Sequence, residues 1–291
     1  MSPSGSIVPF AGCLTDDPSA SSRCVLLGIP DDSQSSFRRG CAGAPERIRL
    51  AYDGRCFNAT TETGVDLTKA VFDGGDLEPA DSWEASALAY QTVLESLLME
   101  NKTPFVAGGD HAVTIPLVEG LRVLNRPVHV VQVDAHPDLY PQFEGNPHSH
   151  ACVAARVMEM KHVASLTQLG IRALNPEQSG VLERFRHRIH VHLARDLQAE
   201  LPEMQHIPQG APVYLTVDMD GFDPAYAPGV SHPVPGGLSA RQVLNFIQRG
   251  HWELVGMDVV EVNPTLDVNE RTAVLAARLL HEGMGQVVPG T

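Results

Sequence analysis

Apolar residues fall along this chain in short continuous runs separated by stretches of helical period. Thr103 to Ala107, Val128 to Val133 and Val213 to Val217 are apolar-rich runs of strand length. Such runs predict strands buried on both faces of a parallel sheet. Further strands are predicted at Cys24 to Ile29, Ala70 to Phe72, Leu166 to Ile171 and Glu253 to Val260. Between them, Trp83 to Met99 places Leu88, Val93, Leu94, Leu97 and Leu98 near helical spacing, which predicts an amphipathic helix. A helix start is read at Ala44, with Pro45 in its first turn. Other helices are read at about Val113 to Leu124, Cys152 to Lys161, Ser239 to Arg249 and Arg271 to Glu282. Leu139 to His150 holds Pro, Gly and Asn and reads as a loop. Regular alternation of strand and helix, without a repeat or linker, predicts an α/β fold. We expect three layers, αβα, around a single mainly parallel sheet. One domain is expected over residues 23–291, preceded by a loose Ser/Pro/Gly-rich arm at 1–22.

Composition narrows the classes. With 291 residues and 43% hydrophobic content the chain can bury a large core. Its net charge of −14 argues against nucleic acid and anionic membrane surfaces as partners and suits a cationic ligand. No apolar run reaches the length of a membrane span, and the N-terminus lacks the basic-then-apolar pattern of a secretory signal. The five cysteines are odd in number and form no CxxC pair, which is the usage of a reduced, cytoplasmic protein.

The chemistry sits just past three of the strand-like runs. The segments are Gly108-Gly109-Asp110-His111, Asp134-Ala135-His136-Pro137-Asp138 and Asp218-Met219-Asp220. If each pair lies at a strand end, Asp134 with His136 and Asp218 with Asp220 face common points. Open α/β sheets hold their sites at the carboxyl ends of the strands. His111, Asp134, His136, Asp138, Asp218 and Asp220 together are too many ligands for one ordinary ion. They suit two divalent cations with bridging carboxylates. Oxygen and imidazole donors without thiolate fit Mn²⁺, and also Ni²⁺, Co²⁺ or Zn²⁺. Without cations the four carboxylates would repel one another. With them, bound water becomes a nucleophile at neutral pH.

The set GGDH, DAHxD and DxDxxDPxxAPG, the last standing as Asp218 to Pro224 and Ala227 to Gly229, resembles the arginase and agmatinase family of ureohydrolases. The likeness runs from about residue 24 to 285. Its details look like the plant-type arginase branch in Ser35-Ser36-Phe37, Asn58 to Glu62, Phe143 to Asn146 and Gly229 to His232. The resemblance implies one metal on His111, Asp134, Asp138 and Asp218, and a second on His136, Asp134, Asp218 and Asp220. Mn²⁺ is the first expectation and Ni²⁺ the second. It also implies that Glu261 grips the guanidinium and that His150 or Asp138 protonates the leaving amine. The subunits are expected to form homo-oligomers, trimers or hexamers.

Two departures bear on the substrate. Animal and bacillar arginases carry an aspartate near the substrate α-ammonium where this chain has Asn175, and their Ser/Thr-rich loop is replaced here by Leu139 to His148. Asn146, His148 and Asn175 are the polar residues expected at the substrate tail. Arginine and agmatine are the leading substrates. Guanidinobutyrate, guanidine or a biguanide is the alternative. A single-zinc deacetylase of the same fold is opposed by Asp138, Asp220 and Glu261, and a non-catalytic partner subunit is opposed by the complete ligand set.

Overall fold

In the computed structural model, residues 9–17, 23–54, 57–197 and 199–288 are described. Among the described residues nine strands form one sheet: β1 (Leu14–Thr15), β2 (Cys24–Gly28), β3 (Val71–Asp76), β4 (Thr103–Ala107), β5 (Val128–Val133), β6 (Val163–Ile171), β7 (Ile189–Leu193), β8 (Pro212–Asp218) and β9 (Glu253–Val260). Their order is β1-β3-β2-β4-β9-β8-β5-β6-β7. Every pairing between them is parallel, as the long apolar runs require.

The helices are α1 (Ala44–Ala51), α2 (Trp83–Met99), α3 (Thr114–Gly120), α4 (Val153–Glu159), α5 (Ser179–Arg184), α6 (Ala240–Gln248) and α7 (Arg271–Met284). Strand residues alternate between two cores. Phe105, Val131, Leu215 and Met257 meet α1, α6 and α7 on one face. Val106, Val130, Tyr214 and Val255 meet α2, α3 and α4 on the other. The αβα expectation holds, with one sheet covered on both sides.

Local chemistry sets the ends. The Ser82 hydroxyl caps α2 by accepting from Ala85 N, and Ser239 with Gln242 forms a capping box on α6. The buried stripe of α2 is Ser86, Tyr90, Leu94 and Leu98, spaced by four. Leu88, read from the sequence as part of the apolar face, lies off that stripe and is exposed.

Two edge strands were not expected. β1 falls inside the predicted arm. Phe10 and Cys13 are fully buried, and Leu14 and Thr15 pair with Val71 and Phe72. The loose-arm expectation therefore does not describe residues 9–15; residues 1–8 and 18–22 lie outside the described residues. β7 follows α5 in a stretch to which the sequence pattern assigns no strand, because it carries His190 and His192 where an inner strand would be apolar.

Candidate active site

β4, β9, β8 and β5 are consecutive in the sheet, so their carboxyl ends share one crevice. His111 follows β4, Glu261 follows β9, Asp218 closes β8 with Asp220 just beyond, and Asp134, His136 and Asp138 follow β5. The expected alternation along a strand end is not what aims these groups. The strands stop, and each carboxylate folds back on a backbone amide. Asp134 Oδ1 accepts His136 N at 2.6 Å, Asp218 Oδ1 accepts Asp220 N at 2.8 Å, and Asp220 Oδ1 accepts Ala135 N at 3.1 Å. In each, one oxygen is fixed by the main chain.

The second oxygens of Asp134 and Asp218 and the Oδ2 of Asp138 meet His111 Nδ1, at 3.2 Å, 3.2 Å and 3.1 Å. His136 Nδ1 lies 3.0 Å from Asp220 Oδ2 and 3.7 Å from Asp134 Oδ1. Two ligand groups result, His111–Asp134–Asp218 and Asp134–His136–Asp220, which share Asp134. Asp138 adopts a left-handed backbone, φ 50°, a strained conformation for a non-glycine residue that is characteristic of functional sites.

The residues fit metal. The Thr216 hydroxyl donates to Asp258 Oδ1 at 2.6 Å, so it accepts from His111 Nε2 at 3.0 Å. That leaves the buried Nδ1 without a hydrogen-bond partner, its lone pair facing three carboxylate oxygens. Such an arrangement is repulsive unless a cation stands between them. Without one, protons take the cation's part. Burial and the neighbouring Asp134 push Asp138 up to about 7, and burial with Asp220 and Asp134 raises Asp218 well above its ordinary range. Burial alone would lower His136, but Asp220 and Asp134 outweigh it and push the imidazole up to about 12.

Supports close in from behind. Gln132 Nε2 donates to Asp134 Oδ2 at 2.7 Å. Arg172 donates to the carbonyls of Asp220, Gly221 and Phe222 and so pins the loop that carries Asp220. Gly109 lets Asp110 N reach Asp31 O at 2.9 Å; a Cβ there would stand 2.0 Å from that carbonyl. Asp110 itself turns away from the ligands and holds the neighbouring loop, accepting Gln34 N at 2.9 Å and Ser35 Oγ at 3.2 Å.

Glu261, also in a left-handed backbone at φ 63°, is buried beside the ligand groups. Its Oε1 accepts His111 N at 3.0 Å and His150 Nδ1 at 2.8 Å. Cys41 Sγ approaches Oε2 at 3.6 Å. Burial alone would raise this carboxyl, but His150 outweighs it and holds the group at about 2. Burial alone would lower His150, but Glu261 and Asp110 push it up to about 9.

A cavity of about 290 Å³ opens over the ligands, lined by His111, His136, Asp138, Asp218, Asp220, His150 and Glu261 at its base. Its outer wall is Ser36, Tyr140, Phe143, Ala151, Ala173, Asn175, Gln178 and His232. Of the three expected tail residues, Asn175 lines it and donates to Tyr140 Oη. Asn146 and His148 do not. The tight turn between Phe143 and Asn146 brings Phe143 to the cavity and sends Asn146 back to donate to Gln34 Oε1 at 2.8 Å. His148 packs instead toward Trp83. Sequence reasoning assigns no role to Ser36, Tyr140, Phe143, Gln178 or His232. Only the segments containing Ser36, Phe143 and His232 stand out in the sequence, through the family resemblance. Among the described residues Cys13, Cys41 and Cys152 are free thiols, and no helix is long and apolar enough to cross a membrane.

A parallel sheet with overlapping His/Asp ligand groups at its central strand ends is the architecture of a metal-dependent hydrolase. Comparison with known proteins is specific. The Arginase family model matches residues 22–285, and the chain belongs to that family. It is 40% identical over 271 residues to Arginase 1, mitochondrial, of Arabidopsis thaliana, covering 88% of this chain and 79% of that one. It is 29% identical over 273 residues to an agmatinase of Halalkalibacterium halodurans, covering 90% and 91%. Among solved structures, the arginase from Medicago truncatula superposes with a TM-score of 0.80 at 34% identity, covering 90% of this chain and 86% of that one. The agmatine ureohydrolase of Thermoplasma volcanium gives 0.79 at 32%, covering 90% and 89%.

Proposed function

We propose that this protein hydrolyses a guanidino C–N bond and releases urea, using two divalent cations held by His111, Asp134, His136, Asp138, Asp218 and Asp220. The observation that carries this reading is the placement of Glu261 in one cavity with His111, His136, Asp218 and Asp220, the members of two ligand groups joined beneath it by the buried Asp134. When bound, the cations neutralise the clustered carboxylates and make water nucleophilic at neutral pH. Mn²⁺ is the first choice for this oxygen-rich donor set and Ni²⁺ the second. Glu261 Oε2 accepts from the guanidinium and holds its carbon over the ligand cluster, a charge-assisted contact that a planar cation makes well. His150, tied to Glu261, supplies the proton that the poor leaving amine needs. Asp138 is the second candidate for that role.

Arginine and agmatine are the substrates suggested by the relatives' names. The outer wall of the cavity favours a second group beside them, guanidines without an amino-acid head. Among the described residues no Lys, Arg, Asp or Glu lines that wall, so the polar side chains that a carboxylate and an ammonium meet there are Tyr140, Asn175, Gln178, Ser36 and His232. The volume also sits at the small end of ligand pockets, roughly 300–1,000 Å³. We further infer a cytoplasmic homo-oligomer, trimer or hexamer; the free thiols of Cys13, Cys41 and Cys152 support a reducing compartment. The test is urea release over arginine, agmatine, guanidinobutyrate, guanidine and a biguanide, with Mn²⁺ and Ni²⁺ supplied separately. Turnover of at least one guanidine is expected, with arginine favoured over agmatine by less than roughly 10⁴-fold, the scale of head-group recognition. No urea from any of them in metal-loaded protein would overturn the reading.

A further inference from the structure

The proton that leaves His150 has no direct way into the cavity, because both ring nitrogens are occupied. Nδ1 is on Glu261 Oε1 at 2.8 Å. Nε2 is on Ser36, whose hydroxyl lies at 2.8 Å and whose backbone N–H points at the same nitrogen from 3.2 Å. Ser36 is itself exposed and lines the cavity. Its placement is built. Asp110 holds Gln34 N and Ser35 Oγ, Asn146 holds the Gln34 side chain, and Gln34 O accepts His150 N at 3.3 Å. The loop that carries Ser36 is thus fastened both to the GGDH segment and to the backbone of His150.

We propose that Ser36 is a catalytic proton relay, its hydroxyl passing the proton of His150 Nε2 to the leaving nitrogen of the substrate. This rests on the guanidino-hydrolase reading. A serine hydroxyl suits both states of the ring. Toward the imidazolium it accepts from Nε2–H; toward the neutral imidazole it donates, and the Ser36 amide donates beside it. In the step, the Nε2–H bond breaks and a new O–H bond forms on Ser36. The former Oγ–H proton goes to the leaving nitrogen. The C–N bond breaks with its electron pair on that nitrogen, which departs as the neutral amine. His150 is left neutral, with Nδ1–H still on Glu261, and a proton from solvent water returns through the same hydroxyl. Glu261, Asp110, Asp138 and His232 are the titratable groups that act on His150.

The test compares Ser36→Ala, and the shape-matched pair Ser36→Thr and Ser36→Val, in the full metal-loaded protein. Ser36→Ala and Ser36→Val are expected to lose roughly 10²-fold in kcat, the scale of general acid catalysis, with KM within a few-fold and metal content unchanged. Ser36→Thr should recover most of the loss, and substrates with less basic leaving amines should lose least. Equal loss in the Thr and Val variants, loss independent of the leaving group, or Ser36→Ala near wild type would each overturn the relay. A second readout stands apart from turnover. By ¹⁵N NMR of labelled histidine, removing the hydroxyl should lower the His150 pKa by about half a unit or more, since the imidazolium loses its Nε2–H acceptor. An unchanged pKa argues against the contact whatever the urea assay gives. Wild-type protein that releases no urea while this shift is present would fault the substrate reading and not the Ser36–His150 link.

Discussion

If Glu261 holds the guanidinium, as proposed, replacing it by Gln should separate guanidinium binding from metal binding. Oε1 is committed to His111 N and His150 Nδ1, so Oε2, approached only by the Cys41 thiol at 3.6 Å, is the atom left for a guanidinium. A glutamine has one oxygen for these two jobs. If its NH₂ takes the Oε2 position it points a donor at a donor on the substrate; if flipped, it points a donor at His150 Nδ1–H. Either way one charge-assisted hydrogen bond is lost, worth about 1.5–3 kcal/mol, and one buried group is left mispaired, at about 1–3 kcal/mol. The sum of roughly 2.5–6 kcal/mol is a fall of roughly 10²–10⁴ in kcat/KM. Glu261 belongs to neither ligand group around Asp134, so two metals per chain should remain. Glu261 does share a third cluster with His150 and His232, which makes the metal measurement decisive. Urea release gives kcat/KM, and plasma mass spectrometry of the same sample gives metal content. A fall in metal alongside activity would make Glu261 a ligand, and a kcat/KM within tenfold of wild type would remove it from the substrate site.

Asp134→Asn and Asp218→Asn should each abolish urea release and lower metal content, because both carboxylates reach His111 Nδ1 and Asp134 serves both ligand groups; His111→Asn should weaken mainly one site. Retention of two metals and near-normal turnover in the Asp134→Asn variant would contradict the shared-ligand geometry. Gly109→Ala places a Cβ 2.0 Å from the Asp31 carbonyl, where backbone must move, and should cost about 1–3 kcal/mol in denaturant melts along with metal affinity. Glu282 is lowered to about 2; burial alone would raise it, but His281, the Glu62 amide, Gln248 and Arg278 outweigh that. Its contribution is therefore present above its unfolded value of 4.5 and is lost as pH falls through about 2. Glu282→Gln should lower stability by about 1–2 kcal/mol at pH 7, and the gap should close on acidification; a gap constant from pH 7 to pH 3 would refute the assignment.

The sheet was legible because its inner strands are buried on both faces, and burial leaves a continuous apolar run: β4, β5 and β9 begin and end where the runs do. The edges broke that rule. β7 tolerates His190 and His192 on a half-covered edge, and β1 is two residues long, so neither writes the pattern of an inner strand. The six proposed ligands stand out in the sequence for a different reason. Asp134 and Asp218 are each fixed by an amide two residues along, so that part of the geometry is encoded within a few positions of the chain, whereas Asp220 takes its amide from Ala135, 85 positions away.

The rest of the site depends on contacts between distant segments, and local spacing carries no trace of them. Ser36 reaches His150 across 114 positions, and Glu261 reaches the His111 amide across 150. Asn146 and His148 were misplaced by the same reasoning in reverse: both are polar residues on the right loop, but a turn at Glu144 and Gly145, with φ of 50° and 81°, decides which residues of that loop face inward. That turn gives the cavity Phe143, and the polar group behind it serves Gln34, which in turn holds Ser36 over His150. The loop proposed to set the substrate tail is therefore joined by hydrogen bonds to the loop that carries Ser36, the proposed proton relay. A change of tail preference made at Asn146 should disturb kcat as well as KM, whereas one made at Asn175, whose side chain bonds Tyr140 and its own turn, should move KM alone. Steady-state kinetics of Asn146→Ala against Asn175→Ala on a single guanidine reads the difference, and equal kcat in the two would mean that the Gln34 link transmits nothing.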